Sequence, residues 1–169
     1  MRFIEKRPSS TLRTLKPAEL FYGNGDIIVH TLLGSCVAIT IWHPGYKVGG
    51  MCHYLLPVRQ HYSNSNNHPP GHYGTDAIEY FLEKVKLKGL RPQSFEVKIF
   101  GGGNILHGVE QLEHAQNVAH VNVEQGRILL KRAGFNIKIE DVGGVRYRNV
   151  YFELISGDVW VQYGKHTKS

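Results

Sequence analysis

The chain is poor in cysteine. Cys36 and Cys52 are the only two in 169 residues, too few for the disulfide frameworks that hold small secreted domains together. Both are expected to be free thiols in a reducing compartment. No apolar run approaches the roughly 20 residues that a membrane helix needs. The first residues, MRFIEKRPSSTLRTLKPAEL, carry basic side chains but no apolar stretch of the secretory kind. The expected location is the cytoplasm. A dense basic tract is also missing. The formal charge of +6 comes from lysines and arginines spread along the chain, without an RNA-recognition or zinc-finger signature. That charge reads as a solvated surface, or as steering toward an acidic partner. Metal motifs are absent as well. His61, His68, His72, His107, His114 and His120 form no H-E-x-x-H pair and adjoin no cysteine at zinc-ligand spacing. Gly101-Gly102-Gly103 is not followed by the Gly-Lys-Ser/Thr of a phosphate loop. Neither a metal nor an organic cofactor is expected.

What is present suffices for one core. Hydrophobic residues make up 41% of the chain, and its length suits one domain over 1–169, with 1–20 as an arm or edge segment. Asp26 to Thr31 reads as a strand, and Leu33-Gly34-Ser35 as a tight turn. Val37 to Trp42 and Val48 to Leu56 read as a hairpin turning at His43-Pro44-Gly45-Tyr46. Pro57 to Gly74 is a long polar loop, a kind that is usually functional in a compact domain. A helix follows, opened by Asp76 and Glu79 as a capping box and closed by Gly89. Ser94 to Phe100 is a strand. A second helix is expected from Asn122 to Gly134, then a strand from Asn136 to Asp141 and a hairpin from Tyr147 to Tyr163 turning near Ser156-Gly157. Six or seven strands and two helices suggest helices packed on a mixed, mostly antiparallel sheet system.

Cys36 stands where a thiol can be presented, directly after a Gly-Ser turn and before a strand. Backbone N–H groups of Ser35 and Cys36 are candidates to hold an oxyanion. With the hairpin turning near residue 44, cross-strand partners should have numbers summing to about 89. Cys36 and His53 meet that sum, so the two side chains can share one face. An imidazole beside a thiol is the arrangement that activates a cysteine nucleophile. The bland reading, a buried thiol and a satisfied core histidine, is equally compatible with the pairing. Cys52 adjoins His53 and so points to the opposite face, as a structural residue.

LGSCVAITIW at 33–42 and GGMCHYLLP at 49–57, with Cys36 and His53 seventeen positions apart, resemble the chemoreceptor glutamine deamidases of the CheD family. Weaker similarity runs through GHYGTDAIEYFLEKV at 71–85, KIFGGGNIL at 98–106, NVAHVNVEQGRILLKRAGF at 117–135 and EDVGGVRYRNVYFELISGDVWV at 140–161. The resemblance implies an α/β three-layered sandwich, shared with bacterial toxin deamidases. It implies hydrolysis of receptor glutamines to glutamates, chemoreceptor cytoplasmic domains as substrate, and in some systems the phosphatase CheC as partner. By position Cys36 matches the family nucleophile and His53 its base. The family's third catalytic residue is a threonine six residues before the cysteine. That place holds His30 here, and Thr31 is its neighbour. Thr31 is the preferred candidate because a hydroxyl accepts the imidazole N–H readily, with His30 itself or a backbone carbonyl near it as the alternatives. On a regular strand His30 and Thr31 face opposite ways, so a bulge or an altered turn before Gly34 is expected if Thr31 is to reach the site. Two alternatives remain: a non-catalytic adaptor of the chemotaxis system, and another cysteine hydrolase such as a peptidase.

Overall fold

The structure, a computed structural model, describes residues 9–59, 67–105 and 109–165, with the side chains of 109–117 outside the description. His61, His107 and the side chain of His114 therefore lie outside the described residues, as does part of the long polar loop. The elements run β1 (Thr11–Thr14), β2 (Leu20–Asn24), β3 (Ile27–Leu33), β4 (Val37–His43), β5 (Val48–Tyr54), α1 (Gly74–Leu87), β6 (Glu96–Gly101), α2 (Val109–Arg132), β7 (Ile137–Val142), β8 (Arg148–Glu153) and β9 (Val159–Tyr163). They form two sheets, ordered β1-β3-β8-β9 and β2-β5-β4-β6-β7. Of the described pairings, β1–β3 and β6–β7 are parallel and the rest antiparallel.

The layering follows from β4 and β5, which are buried on both faces apart from His43. Val37, Ile39, Ile41, Cys52 and Tyr54 point to one side and pack on Ala77, Ile78, Phe81 and Val85 of α1 and Val123 and Leu130 of α2. Ala38, Trp42, Met51 and Phe100 point to the other side and pack on Val29, Leu33, Val150 and Phe152 of the smaller sheet. The result is three layers, helices on sheet on sheet, the α/β sandwich expected from the sequence. Alternation in two central strands is what lets one sheet serve two cores.

Several expectations change. The hairpin loop spans residues 44–47, so β4 and β5 pair with a sum of 91, as in Ala38↔His53 and Val37↔Tyr54. Cys36 is thus diagonal to His53 rather than directly opposite. The discrepancy of two leaves both on the same face. β5 stops at Tyr54, short of Leu56, which makes only an isolated bridge to Tyr73. The first twenty residues contribute the edge strand β1, and β2, unpredicted, pairs with β5. α1 starts at Gly74 with no side-chain cap; Asp76 instead binds Arg59 at 2.8 Å. α2 begins at Val109, thirteen residues before the expected start, and Asn122 lies within it. Nine strands are described, more than the six or seven expected.

Candidate active site

Cys36 sits on the bend between β3 and β4, partly exposed. The triple glycine of the sequence is its cradle. Gly102 N–H donates to the Cys36 carbonyl and Gly103 N–H to the Gly34 carbonyl, each at 2.9 Å. Gly101 has φ +110°, and a Cβ there would come within 2.2 Å of the Cys36 carbonyl oxygen. Only glycine tolerates both that backbone and that approach. Arg148, nearly buried, braces the cradle through Asp141 at 3.1 Å and the Gly143 carbonyl at 2.7 Å. Among the described residues no backbone carbonyl takes the N–H of Ser35 or Cys36. Both amides remain able to receive an oxyanion.

His53 is buried on the face turned toward the smaller sheet, and Thr31 meets it there. Thr31 Oγ1 lies 2.7 Å from His53 Nδ1 and donates to the Leu15 carbonyl at 2.9 Å. A hydroxyl has one proton. Both contacts are hydrogen bonds only when that proton goes to Leu15, and Thr31 then accepts from His53. The imidazole therefore carries its proton on Nδ1 and presents Nε2 as a free base. Nε2 has no hydrogen-bond partner among the described residues. The backbone of His53 is held as firmly: its N–H donates to the Glu19 carbonyl at 3.0 Å, and Ala18 N–H donates to its carbonyl at 2.9 Å. Ala18 adopts φ +74° to do so. The segment 15–19 thus grips His53 along both its main chain and, through Thr31, its ring.

β3 keeps an unbroken register with β8 across this region, so no bulge is needed to bring Thr31 inward. His30 lies on the outer face of the same strand. Its Nε2 is 2.8 Å from Asn149 Oδ1, and its ring stacks on Tyr151 at 4.6 Å. Cys52 faces the helices, fully buried, its thiol pushed up to about 12 by burial.

Burial also sets the resting protonation of the central pair. It raises the Cys36 thiol above its ordinary value and lowers His53 to about 4. Both groups are neutral near pH 7. A neutral imidazole with Nε2 unpaired is able to accept a proton. Catalytic hydrogen bonds are often long before substrate binds and tighten afterwards. Among the described residues, no three or more His, Cys, Asp or Glu side chains gather as metal ligands.

Sequence reasoning missed Asn122. Its Nδ2 reaches the Ser35 carbonyl at 3.3 Å and the Leu55 carbonyl at 2.9 Å from the middle of α2. Asn122 stands three residues before Gln125, the spacing of a helix-capping pair, and so reads as a helix start. The strap 15–19 was likewise unreadable, since its contribution comes mainly from backbone groups.

The family model for CheD chemotactic sensory transduction matches residues 55–163. That span begins after Cys36 and His53, but curated relatives extend across them. "Probable chemoreceptor glutamine deamidase CheD 3" of Dechloromonas aromatica is 40% identical over 149 residues, covering 88% of this chain and 85% of that protein. "Probable chemoreceptor glutamine deamidase CheD 1" of Leptospira interrogans is 34% identical over 157 residues, covering 90% and 93%. A solved structure of a Neisseria meningitidis DUF152 protein matches 85% of this chain and 68% of its own, with TM-score 0.49 and 8% identity.

Proposed function

Because the chain belongs to the CheD family, we propose that it hydrolyses glutamine side chains of chemoreceptors to glutamate, using Cys36 as nucleophile, His53 as general base and Thr31 as the residue that orients it. The observation that carries this reading is the directed pair of hydrogen bonds at Thr31, which leaves Nε2 of His53 unprotonated on the face that Cys36 shares. His53 Nε2 takes the thiol proton as Sγ attacks the carboxamide carbon. The N–H groups of Ser35 and Cys36 receive the oxyanion. The C–N bond then breaks, and the proton on Nε2 goes to the departing nitrogen, which leaves as ammonia. A Cys36 thioester remains. Water, deprotonated by Nε2, attacks the thioester carbonyl, and the sulfur departs and recovers the proton, releasing glutamate.

No helix among the described residues is long and apolar enough to cross a membrane, which accords with action on receptor cytoplasmic domains from the cytoplasm. CheC is a candidate partner on the strength of the family resemblance alone. The experiment is peptide mass mapping of a receptor cytoplasmic domain after incubation with the protein and with Cys36→Ala. The expected result is an amide-to-acid change at discrete glutamines that the variant does not produce. Cleaved receptor backbone would point to a peptidase. An unmodified receptor bound by both proteins would point to an adaptor.

A further inference from the structure

The peptide unit that precedes the nucleophile is held from behind. Asn122 is fully buried, and its Nδ2 group gives one hydrogen bond to the Ser35 carbonyl and one to the Leu55 carbonyl. Its own backbone carbonyl accepts from the Tyr54 hydroxyl at 2.5 Å. The amide orientation is settled by these partners, since a flipped amide would turn Oδ1 against two carbonyl oxygens. Oδ1 has no hydrogen-bond partner among the described residues. A buried acceptor left in that condition is costly, and its retention calls for a reason beyond packing.

The reason lies in peptide geometry. The Ser35 carbonyl and the Cys36 N–H belong to one peptide unit, planar and trans. Its C=O and N–H therefore point in opposite directions. A donor that fixes the carbonyl from the α2 side also aims the N–H away from α2. Drawing density toward the carbonyl oxygen makes the N–H a stronger donor. The second bond, to Leu55, ties the same peptide to the chain two residues beyond His53. We infer that Asn122 is a positioning residue, which aims and polarises the Cys36 N–H as an oxyanion donor and keeps the nucleophile turn in step with the strand that carries the base. This rests on the deamidase reading above.

The test compares two reactions of one thiol in the full chain. Iodoacetamide alkylation occurs at a saturated carbon and develops no oxyanion, whereas deamidation does. Asn122→Ala should lower kcat for receptor deamidation about ten- to a hundredfold, up to the lower end of what deleting an oxyanion donor costs. KM and the rate and pH profile of Cys36 alkylation should stay as in the parent protein. Asn122→Ser, which keeps one donor, should recover part of kcat. If the alanine variant fails to fold, the serine variant is read by the same pair of reactions. Unchanged kcat overturns the assignment, as does an alkylation profile that moves in parallel with kcat, the mark of a merely structural residue. Cys36→Ala separates this proposal from its premise. Deamidation that survives Cys36→Ala refutes the thiol mechanism and the proposal together. Loss in Cys36→Ala with full activity in the Asn122 variants refutes the role of Asn122 alone.

Discussion

Replacing Thr31 by valine removes one oxygen while keeping the shape of the side chain. Two buried groups lose their partner: the Leu15 carbonyl, bonded at 2.9 Å, and the His53 Nδ1–H, bonded at 2.7 Å. Each buried polar group left unpaired costs about 1–3 kcal/mol, so the fold should lose about 2–6 kcal/mol at most. The melting temperature should fall by about 2–4 °C per kcal/mol for a chain of this size. The catalytic cost has a different source. The hydrogen bond that selects the Nδ1–H tautomer has a net value of about 0.5–1.5 kcal/mol. At about 1.4 kcal/mol per factor of ten, its loss should lower kcat about two- to tenfold by depopulating the competent ring state, with KM for the receptor unchanged. Thr31→Ser should restore both quantities, because it keeps the hydroxyl. His30→Ala should do little, because that ring lies on the outer face against Tyr151 and Asn149. Deamidation rates on receptor cytoplasmic domain, measured beside thermal melts, check all three variants. A folded Thr31→Val with full kcat, or a His30→Ala that loses as much, would refute the reasoning.

Other outcomes follow from the same site. Deamidation should keep its acid limb near pH 4, where His53 protonates, instead of near its ordinary value of about 6.5; a limb near pH 6.5 in kcat/KM would contradict the buried neutral imidazole. Because the folded pKa of His53 is the lower one, the unfolded chain binds a proton first as pH falls. The stabilising contribution is thus complete above about pH 6.5 and lost progressively down to pH 4, about 3 kcal/mol in all, which denaturant titrations across that window in the parent and His53→Gln proteins can measure. Cys52→Ala should leave deamidation nearly unchanged and cost about 1 kcal/mol of stability, while a mass count after alkylation of the native protein should find Cys36 modified and Cys52 untouched. Gly101→Ala should destabilise the fold by at least the about 1–3 kcal/mol of a strained backbone and abolish activity, since the added Cβ would meet the Cys36 carbonyl oxygen at 2.2 Å; a fully active variant would show that the cradle yields freely.

What could be read from the sequence was local, and what could not depended on distant partners. Alternation along VAITIW and GGMCHY was enough to put Cys52 and His53 on opposite faces, and it would have done so at either pairing sum. The register itself depends on the four-residue loop at 44–47, where Lys47 takes φ +49°, a conformation that a lysine does not announce. Parity along β3 separated Thr31 from His30 but could not say which faced inward, because that depends on which sheet face is covered. β2 escaped notice, and β1 was foreseen only as an unbounded arm or edge segment, because edge strands with mixed sequences such as TLRT and LFYGN lack clean alternation. The first third of α2, VEQLEHAQ, is too polar to show a helical stripe, so the helix seemed to begin where its apolar residues cluster.

The neutral state of the thiol and imidazole has a consequence for the life of the protein between turnovers. Peroxide and related oxidants react with thiolates and largely spare thiols. Cys36 is partly open to solvent, yet at rest it keeps its proton, because burial raises its pKa and leaves the neighbouring imidazole uncharged. On the proposed mechanism the sulfur becomes a strong nucleophile only when His53 removes that proton, in the presence of a carbonyl to attack. An idle molecule is therefore chemically quiet and should outlast oxidative episodes that would disable an enzyme storing its cysteine as an anion.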